Sequence, residues 1–213
     1  MPTLSNLPLS ILFTLLFVFS TSFSVQAKVV AIEVKEGAAI QPDNLFPRVK
    51  MVTNFGDVVV ELDRTKAPTS VDNFLLYVSK QSYNGTLFHR IVPGFVVQGG
   101  GYSQDYRGLP AFAPIVNESG NGLKNKAFSI AMARNNAPHT ATRQFYFNVA
   151  DNQTLDPGRN WGYAVFGEVM EGTEVIEKMA AVETAYYPKL GWRDVPVAPV
   201  ILKTATIQPE PSL

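Results

Sequence analysis

A series of short apolar segments, separated by turn residues, constrains the fold of this chain more than any other feature of its sequence. The first two segments alternate apolar and polar residues on either side of Asn54-Phe55-Gly56-Asp57, which predicts a β-hairpin over residues 49–62. Further β-like runs occupy residues 87–92, 95–98, 128–133, 144–149, 163–169 and 200–207. Many short strands joined by turns favour a mainly β fold, and a barrel in particular.

Two helices are predicted among these strands. Pro68 begins the first, Asp72 is its expected capping partner, and apolar residues at positions 71, 74, 75 and 78 form one face. The second is predicted over residues 173–181, with positions 175, 176, 179 and 180 buried. We therefore expect a closed antiparallel β-barrel of about eight strands, capped by two α-helices.

The composition excludes several functional classes. The chain has 213 residues and no cysteine, so disulfides, thiolate metal sites and a cysteine nucleophile are excluded. Its two histidines are too few for a multi-histidine metal site, and we expect no metal. Eighteen basic residues balance eighteen acidic ones, so the chain lacks the positive field that gathers phosphates. We therefore expect no nucleic-acid partner.

The first residues are typical of an export signal. Residues 9–19 form an apolar run interrupted only by small hydroxyl side chains, too short for the ~20 residues that span a bilayer. Val25-Gln26-Ala27 provides the small residues of a cleavage site, so we predict cleavage after Ala27. Because no Lys or Arg precedes Lys28, the alternative is an uncleaved amphipathic anchor.

These observations predict four regions: a signal peptide at residues 1–27, an extension of unassigned structure at residues 28–48, one domain at residues 49–207 and a tail at residues 208–213. We expect the mature protein to be periplasmic or secreted, without stable membrane insertion after cleavage. No segment indicates oligomerisation, so we expect a monomer.

Three ordered motifs indicate the chemistry. FHRIVPGFVVQGGG occupies residues 88–101, SIAMAR at residues 129–134 is followed by TRQFYF at residues 142–147, and Leu155-Asp156 precedes YAVFG at residues 163–167. In order and spacing they resemble the cyclophilins, a family of peptidyl-prolyl cis–trans isomerases. The resemblance extends from about residue 49 to about residue 206. MARxxxxxxATxQF, NVADN and GYAVFG look most like the periplasmic bacterial branch of that family.

The resemblance implies rotation about the peptide bond that precedes proline. Resonance of the C–N bond gives this rotation a barrier of ~18–20 kcal/mol, although the cis and trans forms lie close in energy. A catalyst needs a hydrogen-bond donor that favours the twisted amide and an apolar socket for the proline ring. It needs no nucleophile, metal, cofactor or proton transfer.

The resemblance also assigns roles to residues. Arg90 is the implied donor, and Gln98 and Gln144 are the implied catalytic supports that hydrogen-bond the substrate backbone and the arginine. His89 is expected to be a supporting residue. The implied substrate-binding residues are Phe95, Val96, Ala133, Arg134, Tyr146, Leu155 and Tyr163. The implied partners are proline-containing peptides and unfolded or folding client proteins.

Four positions depart from the pattern of many eukaryotic members. Thr154 replaces a tryptophan associated with cyclosporin binding, so we expect weak cyclosporin inhibition. Tyr163 aligns with a histidine of the socket, Tyr146 with a phenylalanine, and Arg134 with an asparagine. Since none of these changes removes the implied donor or its two glutamines, we expect activity to persist.

Two other functions are compatible with parts of this sequence. A non-catalytic peptide-binding or chaperone-like module could use the same barrel for recognition alone, and Tyr146 and Thr154 leave room for it. The intact set of arginine and glutamines favours the enzyme, since binding alone needs no donor at the amide nitrogen. A lipocalin-like carrier is disfavoured, because these polar residues lie in segments expected to line a groove rather than a sealed apolar cavity.

Overall fold

The computed structural model describes residues 36–158 and 160–210. The predicted signal peptide and the first part of the extension lie outside these residues. Among them are two complete α-helices, α1 (Pro68–Ser79) and α2 (Thr173–Ala180), a further α-helical stretch at residues 36–38, and a short 3-10 helix at Gln153–Leu155. The strands are β1 (Arg48–Thr53), β2 (Asp57–Leu62), β3 (Thr86–Leu87), β4 (Arg90–Val92), β5 (Val96–Gly99), β6 (Ser129–Met132), β7 (Phe145–Asn148), β8 (Val165–Glu171), β9 (Thr184–Tyr187), β10 (Trp192–Pro196) and β11 (Ile201–Ile207).

Nine strands form one antiparallel sheet in the order β3-β11-β1-β2-β8-β6-β7-β5-β4. The predicted mainly β fold is confirmed, and so is the hairpin of β1 and β2, whose register pairs Val52 with Asp57. The sheet encloses a large apolar core, and α1 and α2 cover it with their predicted faces buried.

The predicted closed barrel of about eight strands is corrected. The run 87–92 is interrupted at Phe88 and His89, so β3 ends before β4 begins. Strand β3 pairs with β11 and β4 pairs with β5, which puts these two consecutive strands at opposite edges of the sheet. In the described part of the chain no strand ladder joins the two edges. The sheet is therefore strongly curled and open.

The capping prediction for α1 is wrong. The residue before the helix, Ala67, makes no side-chain cap, and Asp72 instead forms an ion pair with Arg64 at 2.9 Å. Glu118 caps the helix from a distant loop, accepting hydrogen bonds from the backbone N–H groups of Thr69 and Ser70 at 3.0 and 2.8 Å. The first turn of α1 is thus capped by a tertiary contact with Glu118 and not by a neighbouring residue.

Residues 36–47, whose structure could not be assigned from the sequence, fold onto the curled sheet. The guanidinium of Arg64 donates to the backbone carbonyls of Ile40, Gln41 and Asn44 at 2.9, 2.6 and 2.6 Å. Ile40 packs against the main core. In the described residues, no helix combines the length and the apolar character needed to cross a membrane.

Strands β9 and β10 form a separate two-stranded hairpin that the sequence analysis missed. The signal was present, since β-like residues flank a short loop ending in Gly191. The hairpin lies against β4 and contributes one wall of the site described next.

Candidate active site

The register of the sheet places the main candidate residues in one row. Across β4, β5, β7 and β6, Arg90 is opposite Gln98, Gln98 is opposite Tyr146, and Tyr146 is opposite Ala131. Residues directly opposite one another in a sheet point to the same face. The neighbours of Tyr146, Phe145 and Phe147, belong to the main core on the other face. The row therefore faces away from the core.

The apolar candidates form a second hydrophobic cluster on this face. Val96 and Tyr146 are buried within it, and the other predicted socket residues pack against it: Phe95, Ala133, Leu155 and Tyr163. These residues surround a cavity of about 110 Å³, which Arg90, Gln98 and Arg134 also line. The structure thus brings all ten predicted catalytic and substrate-binding residues together except Gln144, which lines the adjoining cavity.

A chain of polar contacts runs from Arg90 to Gln144. One terminal nitrogen of Arg90, Nη1, lies 3.5 Å from Oε1 of Gln98, and Nε2 of Gln98 donates to Oε1 of Gln144 at 2.9 Å. Gln144 packs against Gly101, where an added Cβ would lie 2.6 Å from its side-chain amide carbon. Gln144 thus orients Gln98, and Gln98 orients Arg90.

The hydroxyl of Tyr146 is not a free polar group at the edge of the socket. It donates to Oδ1 of Asn125 at 2.7 Å, and burial raises the pKa of Tyr146 well above its usual range, so it remains a donor. Asn148 donates to the same oxygen, and Asn152 links Asn148 to the backbone carbonyl of Phe95. This buried network, which the sequence analysis missed, fixes the floor of the socket.

Arg134 forms part of the socket wall. Its guanidinium lies over the ring of Tyr163, 4.4 Å from the centroid, and donates to the carbonyls of Trp161 and Gly162 at 2.6 and 3.2 Å. Two further hydrogen bonds go to carbonyls of the following loop. The ring of Tyr163 is also edge-on to Tyr146, with centroids 6.0 Å apart.

A larger cavity of about 540 Å³ adjoins the socket and shares Arg90, Gln98, Ala133 and Arg134 with it. His89 lies at its margin in the break between β3 and β4 and is 6% exposed. Its burial, reinforced by the charge of Arg90, lowers the pKa of His89 to about 4. His89 is therefore neutral at physiological pH and adds no charge to the cavity.

The hairpin contributes residues that the motifs did not indicate. Residues 191–194 line the larger cavity, and Oδ2 of Asp194 lies 3.5 Å from Nε of Arg90. The ring of Trp192 contacts Tyr102 and His89, with centroids 4.7 and 5.9 Å away. Nothing local in the sequence shows that Asp194 meets Arg90, because more than a hundred residues separate them.

The arrangement offers a cationic donor beside an apolar socket. No cluster of three or more histidine, aspartate or glutamate side chains that could hold a metal occurs in the described residues. Such a site can hold a small ring and direct hydrogen bonds at a neighbouring amide, which is what rotation about a prolyl bond requires.

Comparisons with known proteins agree with this chemistry. Residues 48–207 match the family model described as cyclophilin type peptidyl-prolyl cis-trans isomerase/CLD. The peptidyl-prolyl cis-trans isomerase cyp18 of Streptomyces antibioticus is 45% identical over 163 residues, covering 75% of this chain and 97% of that protein. Peptidyl-prolyl cis-trans isomerase A of Dickeya dadantii is 46% identical over 160 residues, covering 75% and 83%.

The fold agrees as well. The crystal structure of a cyclophilin type peptidyl-prolyl cis-trans isomerase from Cryptosporidium parvum superimposes with a TM-score of 0.64 and 25% sequence identity, covering 78% of this chain and 99% of that one. With the family model, the relatives and the fold in agreement, the chain belongs to the cyclophilin family and is a peptidyl-prolyl cis-trans isomerase.

Proposed function

We propose that this isomerase acts through Arg90, which donates a hydrogen bond to the twisted amide while the proline ring sits in the socket of residues 95, 96, 146, 155 and 163. The observation that carries the proposal is the position of Arg90, which lines the socket and is oriented through Gln98 and Gln144. A hydrogen bond to a charged group contributes roughly 1.5–3 kcal/mol, or about one to two decades in rate.

The twisted amide is the state that benefits from this donor. As the C–N bond rotates out of plane, resonance is lost and the nitrogen recovers its lone pair. A donor that meets this lone pair or the carbonyl oxygen binds the transition state more tightly than the planar ground state. The glutamines and Ala133 would hold the flanking backbone, and the apolar walls would exclude water.

The test is the cis-to-trans rate on a short Xaa-Pro peptide. The variant Arg90→Ala should lower kcat/KM at least tenfold while the thermal midpoint moves little. Arg107→Ala is the matched control, because Arg107 is exposed, pairs with Asp105 and lines neither cavity. A large loss of stability with unchanged activity of the folded fraction would make Arg90 structural. A folded parent without activity would favour a peptide-binding module.

We further propose that the protein assists the folding of exported clients in the periplasm, or outside the cell, as a monomer. The support is the apolar run of residues 9–19 followed by a cleavage motif at Ala27, and the slowness of prolyl isomerisation in folding. Cell fractionation and the mass of the purified protein test this, with a mature chain beginning at Lys28 expected. A cytoplasmic full-length chain would contradict it.

Weak binding of cyclosporin is part of the same proposal, because Thr154 stands where an aromatic ring would contact the drug. Titration of the peptide assay with cyclosporin tests it. Inhibition at concentrations close to that of the enzyme would contradict the expectation.

A further inference from the structure

The guanidinium of Arg90 has partners on two sides. Its Nη1 lies 3.5 Å from Oε1 of Gln98, and its Nε lies 3.5 Å from Oδ2 of Asp194. The two partners come from different elements, the sheet and the β9–β10 hairpin. A planar guanidinium with partners at two of its three nitrogens loses much of its rotational freedom. The same side chain lines the socket.

The backbone at Asp194 is specialised for this contact. The register of the hairpin pairs Trp192 with Tyr187 but Val195 with Ala185, so β10 carries one extra residue between these pairs. Asp194 lies in this bulge with φ of 61°, a left-handed conformation that residues other than glycine adopt at a cost. Bulges next to active sites commonly redirect one side chain, and here that side chain is the carboxylate facing Arg90.

Aromatic contacts anchor the β9–β10 hairpin and thereby fix the position of the Asp194 carboxylate. Trp192, two residues before Asp194, contacts Tyr102 at 4.7 Å between ring centroids. Tyr187 on the other strand stacks on Tyr106 at 5.0 Å. These aromatic contacts join β9 and β10 to the loop that follows β5, so the position of Asp194 relative to β4 is set by packing.

We propose that Asp194 is a positioning residue for the isomerase reaction: from the bulge of the β9–β10 hairpin it holds Nε of Arg90 and aims the rest of the guanidinium at the prolyl amide. This inference rests on the proposed role of Arg90. Asp194 touches no substrate in this scheme, and its effect is on the transition state, where the arginine donates. Loss of its carboxylate should therefore lower kcat and leave KM nearly unchanged.

Two substitutions distinguish the effect of the Asp194 carboxylate from that of the left-handed backbone. Asn tolerates the left-handed conformation, and its amide oxygen can take the place of the carboxylate oxygen near Nε, so Asp194→Asn removes the charge alone. Glycine adopts positive φ without strain, so Asp194→Gly removes the side chain and keeps the bulge. The matched control is Asp105→Asn, which removes an exposed carboxylate paired with Arg107 outside both cavities.

On a short Xaa-Pro peptide, kcat should fall about twofold in Asp194→Asn and about fivefold in Asp194→Gly. The fall is modest because both side chains of the pair are more than a third exposed to solvent and the attraction is screened. The thermal midpoint of Asp194→Gly should not fall, since glycine relieves the strain at this position. The variant should therefore lose turnover without losing stability. A merely structural role of Asp194 would lower both.

A spectroscopic readout completes the test. The ¹H–¹⁵N signal of Nε in Arg90 should move in both variants and stay in place in Asp105→Asn. Parental kcat in Asp194→Gly, or an equal fall when Arg90 is already alanine, would overturn the inference and leave the proposed function intact. An inactive but folded parent would overturn both.

Discussion

At the scale of single residues, His89 adds no charge to the site around Arg90. It is buried beside Arg90 and contacts the rings of Tyr102 and Trp192. Desolvation of the imidazole and the neighbouring positive charge both disfavour its protonation. The protein therefore keeps a neutral aromatic ring next to its arginine, and this ring supports the hairpin.

The lowered pKa of His89 predicts a pH dependence of stability. The unfolded chain protonates this residue near pH 6.5 and the folded chain near pH 4, so the contribution to stability is complete above pH 6.5 and is lost as the pH falls to about 4. The loss amounts to about 3 kcal/mol at ~1.36 kcal/mol per pH unit. Urea denaturation between pH 7 and pH 4 measures it.

A variant that removes the imidazole tests this prediction. His89→Phe should reduce the slope of unfolding free energy against pH, because phenylalanine keeps a ring in contact with Tyr102 and Trp192 but does not titrate. A slope that persists in His89→Phe would contradict the assignment.

At the scale of elements, α1 depends on a loop 48 residues further along the chain. Its first free N–H groups would be unsatisfied without the carboxylate of Glu118, which also accepts from the hydroxyl of Ser70 at 2.7 Å. A negative charge at this end also complements the helix dipole. The helix thus gains its N-terminal stability from tertiary structure.

Removal of this cap should destabilise the protein. Glu118→Ala is expected to lower the free energy of unfolding by about 1–2 kcal/mol, because two backbone donors and a hydroxyl lose their acceptor. Glu118→Gln should lose less, since its amide oxygen can replace one carboxylate oxygen. Chemical denaturation measures both, and Glu177→Ala on the exposed face of α2 is the control. An equal effect of Glu118→Ala and Glu177→Ala would contradict the capping role.

At the scale of the whole molecule, Arg64 joins residues 40–44 to the rest of the fold. Its side chain is 9% exposed and its guanidinium meets three carbonyls and Asp72. Desolvation raises the pKa of Asp72, and the charge of Arg64 acts against this rise. Removal of the arginine would leave a nearly buried carboxylate without its ion-pair partner and would take one donor from each of three carbonyls.

Arg64→Ala should therefore lower the free energy of unfolding by about 3–5 kcal/mol, as is typical when one member of a buried ion pair is removed. Arg48→Ala is the matched control, because Arg48 pairs with Glu61 at the surface, and it should lose less than ~1 kcal/mol. Denaturation by urea gives both values. A loss of similar size in the two variants would show that residues 40–44 contribute little to stability.

The sequence was sufficient where the relevant physics is local. Alternation predicts the β1–β2 hairpin, the spacing of apolar residues predicts the buried faces of α1 and α2, and the motifs predict the family and the residues of the socket. Periodicity of two or 3.6 residues directly determines which side chains share a face, so such features need no knowledge of the rest of the chain. Only the second hairpin carried a local signal that was overlooked.

Tertiary structure decided the contacts between distant segments. The opening of the sheet at β3 and β4, the cap from Glu118, the support of Tyr146 by Asn125 and the approach of Asp194 to Arg90 all depend on strand register and sheet curvature. These quantities arise from the packing of the whole core, and no short window of sequence contains them. The sequence by itself determined which chemistry the chain carries, and the fold decided how its arginine is held.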